Sequence, residues 1–465
     1  MASQFFESRM TGSNPTDSTV SEALAGWASA LTWKSLPAEV VAMARRVLLD
    51  TLGCALQGST TPEARHLARA RTDLGATGPC SVWGTKGGAP PQAAALFNGA
   101  HAHMRELDDV GGGGHAGACQ VPAVLAAAEL SEGDGRDVLL GLVAGHEITS
   151  RLTDAASYDV MTLRGWHTTG VYGSIGAGVA ASRVLCLDAE RTAHALGLAG
   201  SYTGGTWAFM ADGAMSKRLH PGRSAEIGLT AAVLARRGVT GPREVLDAPW
   251  GGLFSTFAPG ESNPVAPLTG LGQGYRILRK GFKPYPVCWG INSAADAMLE
   301  LRAKHELGAE EIKHVRVVLS EMSRRMIGGV HLDSVLEAQM SVTYALACII
   351  RFGRLTLREF TPAAVGDKVT RALMQRITLV VDPEAHGERQ TLVVETRDGR
   401  RLTCRIEVPL GHWDNPQSDG ALREKFLRLA GAALGAARAA KVADLVARID
   451  KPGALARLFA LLRPA

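Results

Sequence analysis

Apolar residues recur at three-to-four spacing through the first 260 or so residues, in segments such as SEALAGWASAL (21–31), AEVVAMARRVLLDTLGCAL (38–56), PPQAAALFNGAHAHM (90–104), QVPAVLAAAEL (120–130) and GRDVLLGLVAGHEITSRL (135–152). Gly, Pro or Ser/Thr/Asp separate them, so the pattern predicts successive helices, each with a buried face. Nothing in this stretch alternates with period two. Between residues 250 and 275 Gly and Pro accumulate and periodicity disappears, which makes that stretch the candidate domain boundary. Beyond it, alternating or β-branched runs appear for the first time: IKHVRVVLS (312–320), QRITLVVDP (375–383), RQTLVVETRDG (389–399) and RRLTCRIEVP (400–409). The last two flank Asp398-Gly399, a hairpin signal. With helices predicted over Ser293–Lys304 and Glu337–Phe352, residues 278–411 read as a smaller α+β domain after a helical domain over residues 1–277. After Asn415-Pro416 the pattern is helical again, and residues 412–465 are expected to return to the first domain.

Composition sharpens this picture. Hydrophobic residues at 46% and charged residues at 20% exclude a disordered chain. Gly at 53 residues with aromatics at only 5% implies that small-residue helix contacts replace aromatic bulk. Seven scattered cysteines without a CxxC pair argue against a disulfide framework or a structural zinc site. The N-terminal MASQFFESRMTGSNPTDS has no apolar run long enough for a secretory core, so a cytoplasmic location is expected. Val171 to Leu187 is the most apolar stretch, but Ser174, Ser182 and Arg183 interrupt it, which suits a buried helix and not a membrane span. The net charge of +5 does not point to nucleic acid: from residue 421 on, nine Lys/Arg face three acids along helical sequence, and the rest of the chain is about neutral.

Three segments concentrate polar chemistry. In HAHMRELDDVGGGGHAG (101–117), Glu106, Asp108, Asp109 and His115 surround four consecutive glycines, a loop whose backbone a ligand could approach, or else a solvated acidic loop. A metal set through His101 and His103 is disfavoured, because two residues apart on a helix the rings point roughly 200° from each other. In GWHTTGVYGSIGAG (165–178), His167 precedes a small-residue helix for which Thr168 or Thr169 is the expected N-cap. A histidine there is disfavoured as a cation, which suits an imidazole working near neutral pH, although a lone histidine is more often structural than catalytic. No predicted strand precedes this segment, so a dinucleotide fingerprint is a poor reading. Finally, ADGAMSKRLHPGRSAEIG (211–228) carries Lys217 and His220 before Pro221-Gly222, and RKGFKPYPVCWGINSA (280–294 with Arg279) carries Lys283 in a Lys-Pro-Tyr-Pro turn. Lysines at such turns are either anchors for substrate carboxylates or exposed surface residues.

In this order and spacing the chain resembles the MmgE/PrpD family, which includes 2-methylcitrate dehydratase, cis-aconitate decarboxylase and iminodisuccinate epimerase. The resemblance rests on LDDVGGGGHAGACQVPAVLAAAE, GWHTTGVYGSIGAGVAASRVLCLD, MSKRLHPGRSAEIGLTAAVLARRGVTGP, KPYPVCWGINSAADAMLEL and GHWDNPQSD, and it covers nearly the whole chain. It implies a mainly α fold: a large all-helical domain built from both chain ends, plus a smaller α+β lid. It also implies a homodimer, a site at the seam, and no metal or organic cofactor. The family's active-site histidines fall on His115 and His167, and its lysines on Lys217 and Lys283, with His220 three residues beyond Lys217. Departures are Glu106 for the first Asp of an Asp-Phe-Asp-Asp-Thr segment, Val110 for its Thr, Asn292 for a His and Thr168 for a Pro. The implied inventory is catalytic His115 and His167, with Glu106 or Asp109 as orienting group or partner base, and Lys217, Lys283 and His220 binding substrate. The expected activity is a lyase reaction, dehydration of a hydroxylated di- or tricarboxylate. Decarboxylation or epimerisation within the family is the alternative, and a carboxylate-binding homologue without turnover is the alternative of another class.

Overall fold

A computed structural model describes residues 18–463. The N-terminal segment read above for its missing secretory core lies almost wholly outside the described residues. The first hydrophobic core gathers side chains from Val20 to Phe282 and again from Leu422 to Leu462, so both parts of the chain build one helical body. At its centre lies the helix Thr168–Val184, buried on nearly every side, with Gly135–Ala156, Ala116–Ser131 and Ser216–Arg236 around it. Its sequence makes this possible, because Gly and Ala let neighbouring backbones approach where larger residues would hold them apart. Where Pro91–Ala102 crosses Ser216–Arg236, a Cβ on Gly99 would fall 2.6 Å from the Cα of Gly222. The Gly-rich, aromatic-poor composition is therefore expressed as close helix crossings.

The Gly/Pro-rich stretch at 250–275 is not a boundary, contrary to expectation. Its turns fold the short helix Leu253–Phe257 back so that Leu253, Phe254, Phe257 and later Ile277 join the first core. The second core begins at Val287, apart from Phe209, which reaches into it from the helical body. It packs the helices Asn292–His305 and Val342–Phe352 against a four-stranded sheet. The sheet order is Ile377–Val381, Ile312–Leu319, Gln390–Thr396, Arg401–Ile406. The first two pair in parallel and the others antiparallel, the last pair closing at Asp398-Gly399 as the hairpin signal predicted. The single helix expected over Glu337–Phe352 is two, Val335–Gln339 and Val342–Phe352. Ser341 adopts extended backbone between them, and its hydroxyl caps the second by accepting from the Tyr344 N–H. Among the described residues no helix is long and apolar enough to cross a membrane.

A short antiparallel ladder, Asp109–Val110 with Gly281–Phe282, lies just before the chain enters the second core. It brings the acidic loop beside the Lys280–Lys283 segment.

Candidate active site

The helix Pro91–Ala102 stops just before His103, its C-cap, and the chain turns so that Glu106 takes a left-handed backbone conformation, φ +53°. For a residue with a Cβ that conformation costs roughly 1–2 kcal/mol, and here it sends a fully buried carboxylate into the seam. Lys217 pairs with one oxygen of Glu106, and Lys283 Nζ lies 3.1 Å from the other. Both lysines are buried, so the surface reading of them fails. Lys217 is not on a turn either: it is the second residue of Ser216–Arg236, and Pro221-Gly222 lies inside that helix. Gly222 is present for the crossing with Pro91–Ala102, where a side chain would strike the Leu96 carbonyl.

Asp108 organises the imidazoles. His103 Nδ1 is 2.9 Å from both of its carboxylate oxygens, and His115 Nδ1 is 3.2 Å from one of them. The two rings stand 4.3 Å apart. Because a carboxylate only accepts, His103 carries its proton on Nδ1, and its Nε2 accepts from Lys217 at 3.0 Å. Both nitrogens of His103 are thereby committed. His115 Nδ1 is also held by the Asp109 backbone carbonyl at 2.9 Å, which turns Nε2 away from these partners.

Asp109 is placed otherwise than expected. Its buried carboxylate accepts from the Gly117 N–H at 3.0 Å and pairs with Lys280 at 2.8 Å, so Asp109 meets His115 through its backbone carbonyl and not through its carboxylate. Adjacent residues leading into a strand face opposite sides, and here Asp108 faces the imidazoles while Asp109 faces Lys280. The Lys280 ammonium also donates to the carbonyls of Gly111 and Gly114, at 2.6 and 3.2 Å. Gly111, Gly112, Gly113 and Gly114 all have positive φ, a run that only glycine sustains. The loop is thus a closed support behind His115.

His167 is itself the N-cap of Thr168–Val184, in place of the expected Thr168 or Thr169. Its buried ring meets Trp207 and Phe209 edge-on, at centroid distances of 5.4 and 6.0 Å, and lies 6.4 Å from the rings of both His103 and His115. His167 Nδ1 is 2.9 Å from His220 Nδ1. The seam therefore brings together Glu106, His115, His167, Lys217, His220 and Lys283, and it adds His103 and Asp108, which sequence reasoning did not place in the site.

Burial sets the charge states. It pushes His103 and His220 down to about 4, and carries His167 well below its ordinary value, with Lys217 adding to the effect in each case. Although burial alone would raise Glu106, the ammonium groups of Lys217 and Lys283 hold it well below the usual carboxylate range. Glu106 is accordingly a weak base in this arrangement, where it bridges the two lysines. His103, Asp108 and His115 offer ligand atoms within 4.8 Å of one another, the one such group among the described residues. The geometry suits hydrogen bonding better than a metal ion, since both Nδ1 atoms already face Asp108 and the Lys217 ammonium stands against His103.

Behind the loop, Lys425 from the returning helix Asp419–Leu434 reaches Asp50 and the Leu107 carbonyl, each at 2.6 Å. Neither Asp50 nor Lys425 was singled out from sequence, although a lone Asp inside VLLDTLGC is the kind of charge that needs a partner.

The family model of the MmgE/PrpD N-terminal domain matches residues 22–264, and that of the MmgE/PrpD C-terminal domain matches residues 285–451. The chain belongs to the MmgE/PrpD family. Relatives of this MmgE/PrpD chain include the cis-aconitate decarboxylase-like protein oryM of Aspergillus oryzae, 29% identical over 97% of this chain and 99% of the relative. Another is a cis-aconitate decarboxylase of Aspergillus terreus, 27% identical over 96% of each. The 2-methylcitrate dehydratase of Cupriavidus necator is 25% identical over 79% of this chain and 81% of its own.

The buried histidines of this MmgE/PrpD protein give stability a pH dependence. Burial holds His101, His103 and His220 at about 4 and His146 at about 3, against 6.5 in an unfolded chain. As pH falls below 6.5 the unfolded state takes up protons that the native state refuses, so their contribution to stability is lost. Asp50, raised by burial from 3.8 to about 6, works in the opposite direction and offsets part of this. The melting temperature should fall between pH 7 and pH 5, and a flat or rising curve would count against neutral buried imidazoles.

Proposed function

We propose that this protein is a lyase that decarboxylates a small unsaturated polycarboxylate of the cis-aconitate type. The observation that carries the reading is the enclosed set of imidazoles beside Lys217 and Lys283. In the step, the bond to one carboxylate breaks and carbon dioxide leaves. The electron pair is delocalised toward a neighbouring carboxylate, where an ammonium group stabilises the growing charge, and an imidazole supplies the proton that replaces the lost group. Lys217 and Lys283 hold the carboxylates, exchanging contacts with Glu106 as substrate enters. His167 and His115 share proton transfer in the site, with His115 aligned by Asp108. Every group in this scheme is a side chain of the chain, so the reading needs no cofactor. A homodimer, as the family resemblance implies, is part of it.

Similarity to the decarboxylases over nearly the full length favours this activity over the dehydration expected from sequence. Elimination of water from a hydroxylated acid is the second reading, favoured by the His167–His220 contact, which suits protonation of a leaving hydroxyl. Incubation with cis-aconitate, 2-methylcitrate and related acids, following gas release and ultraviolet absorbance together, tests both. Gas release supports decarboxylation. New conjugated absorbance without gas supports dehydration, and neither signal from any acid in the panel overturns the lyase reading.

A further inference from the structure

We propose that His220 is a proton-relay residue acting through His167, and not a substrate-binding group. The two rings meet Nδ1 to Nδ1 at 2.9 Å. A neutral imidazole has one N–H, so this contact forms only when one ring carries its proton on Nδ1 and the other on Nε2. The tautomers are thereby opposed. When His167 Nε2 bears a proton, His220 has a bare Nε2; when His167 Nε2 is bare, His220 Nε2 bears the proton. Moving one proton across the Nδ1–Nδ1 contact, while one Nε2 loses a proton and the other gains one, switches Nε2 of His167 between acid and base.

The surroundings fit a relay with one dry end and one wet end. His167 is buried between Trp207 and Phe209, whereas His220, on the second turn of Ser216–Arg236, is partly exposed. The contact is also braced from both sides. The His167 backbone N–H donates to the Gly205 carbonyl at 2.9 Å, and Gly205, at φ +145°, lies beside the His220 ring. Phe209 stands 6.0 Å from both rings. The Lys217 ammonium, one turn before His220 and bonded to His103, disfavours a second proton on the pair and keeps the two tautomers opposed.

In the reaction of the preceding section, on which this inference rests, His167 gives its Nε2 proton to the carbon that has lost carbon dioxide. The His220 Nδ1 proton passes to His167 Nδ1, and His220 Nε2 takes a proton from water. One proton moves from solvent to product, and exchange with water through the opened site resets the pair after product leaves.

Two measurements test this. The first needs no substrate: nitrogen-15 spectra of histidine-labelled protein should show His167 and His220 as opposite tautomers sharing one hydrogen-bonded proton, and His220→Gln should change the tautomer balance of His167. Both rings in the Nε2–H form would overturn the relay, whatever acid the protein acts on. The second follows turnover. His220→Ala should melt near the parent temperature and lose about 10²-fold in kcat with a much smaller change in KM, and added imidazole should restore part of the rate. A raised KM with unchanged kcat would return His220 to substrate binding. A folded variant whose lost rate imidazole does not restore would also sink the relay.

Discussion

His167→Gln should lower the chemical step by about 10²–10⁴-fold while changing substrate affinity far less. Gln retains much of the hydrogen-bonding capacity and volume of His, so the pocket formed by Trp207 and Phe209 stays filled. What it cannot do is pass a proton between two ring nitrogens. The N-cap position of His167 uses its backbone carbonyl, which accepts from the N–H groups of Gly170 and Val171, so the helix start survives the substitution. Single-turnover rate per folded protein, beside a melting curve, is the measurement. A near-normal rate in a destabilised variant would remove His167 from proton transfer and leave that role to His115, whose Nδ1 is fixed by Asp108 and the Asp109 carbonyl.

Lys217→Met should abolish turnover and destabilise the fold together, because one ammonium serves two partners. It anchors a substrate carboxylate in the reaction, and in the resting site it neutralises Glu106 and donates to His103. Removing it leaves Glu106 buried with only Lys283, and breaking a buried pair in this way costs about 3–5 kcal/mol. The double variant Lys217→Met with Glu106→Gln should recover much of the melting temperature, since the uncompensated charge is gone, yet remain inactive. Retained activity in either variant would remove Lys217 from the site, and a single variant as stable as the parent would deny the buried bridge.

Most helices and all four main strands were legible because each follows from local periodicity. The site was legible only where chemistry sits next to a local marker: His167 before its Gly/Ala helix, Lys283 in its Pro-rich turn, His115 after the glycines. His103 was discounted on the assumption that the helix continues through it. The helix ends at Ala102, and that one-residue difference frees the ring to turn toward Asp108. Asp109 was preferred to Asp108 because nothing local separates two adjacent acids; their partners, His103 and Lys280, lie 5 and 171 residues away. Pro221-Gly222 carries an ordinary turn signature, but in this chain Gly222 answers to a helix that crosses it from more than a hundred residues earlier.

The bond from Lys425 to Asp50 and the Leu107 carbonyl also orders events on the ribosome. Asp50 and the acidic loop emerge early, and Lys425 follows Asp50 by 375 residues, which at ordinary translation speeds is roughly 20–75 s later. During that interval the emerging helices can pack, but Asp50 has no ammonium to bury against and the loop bearing Glu106 and Asp108 has no clamp behind it. The support of the acidic loop is therefore completed only after the returning helix has been synthesised and docked, and a product terminated before residue 425 would carry every histidine of the site without the ammonium that holds Asp50 and the Leu107 carbonyl.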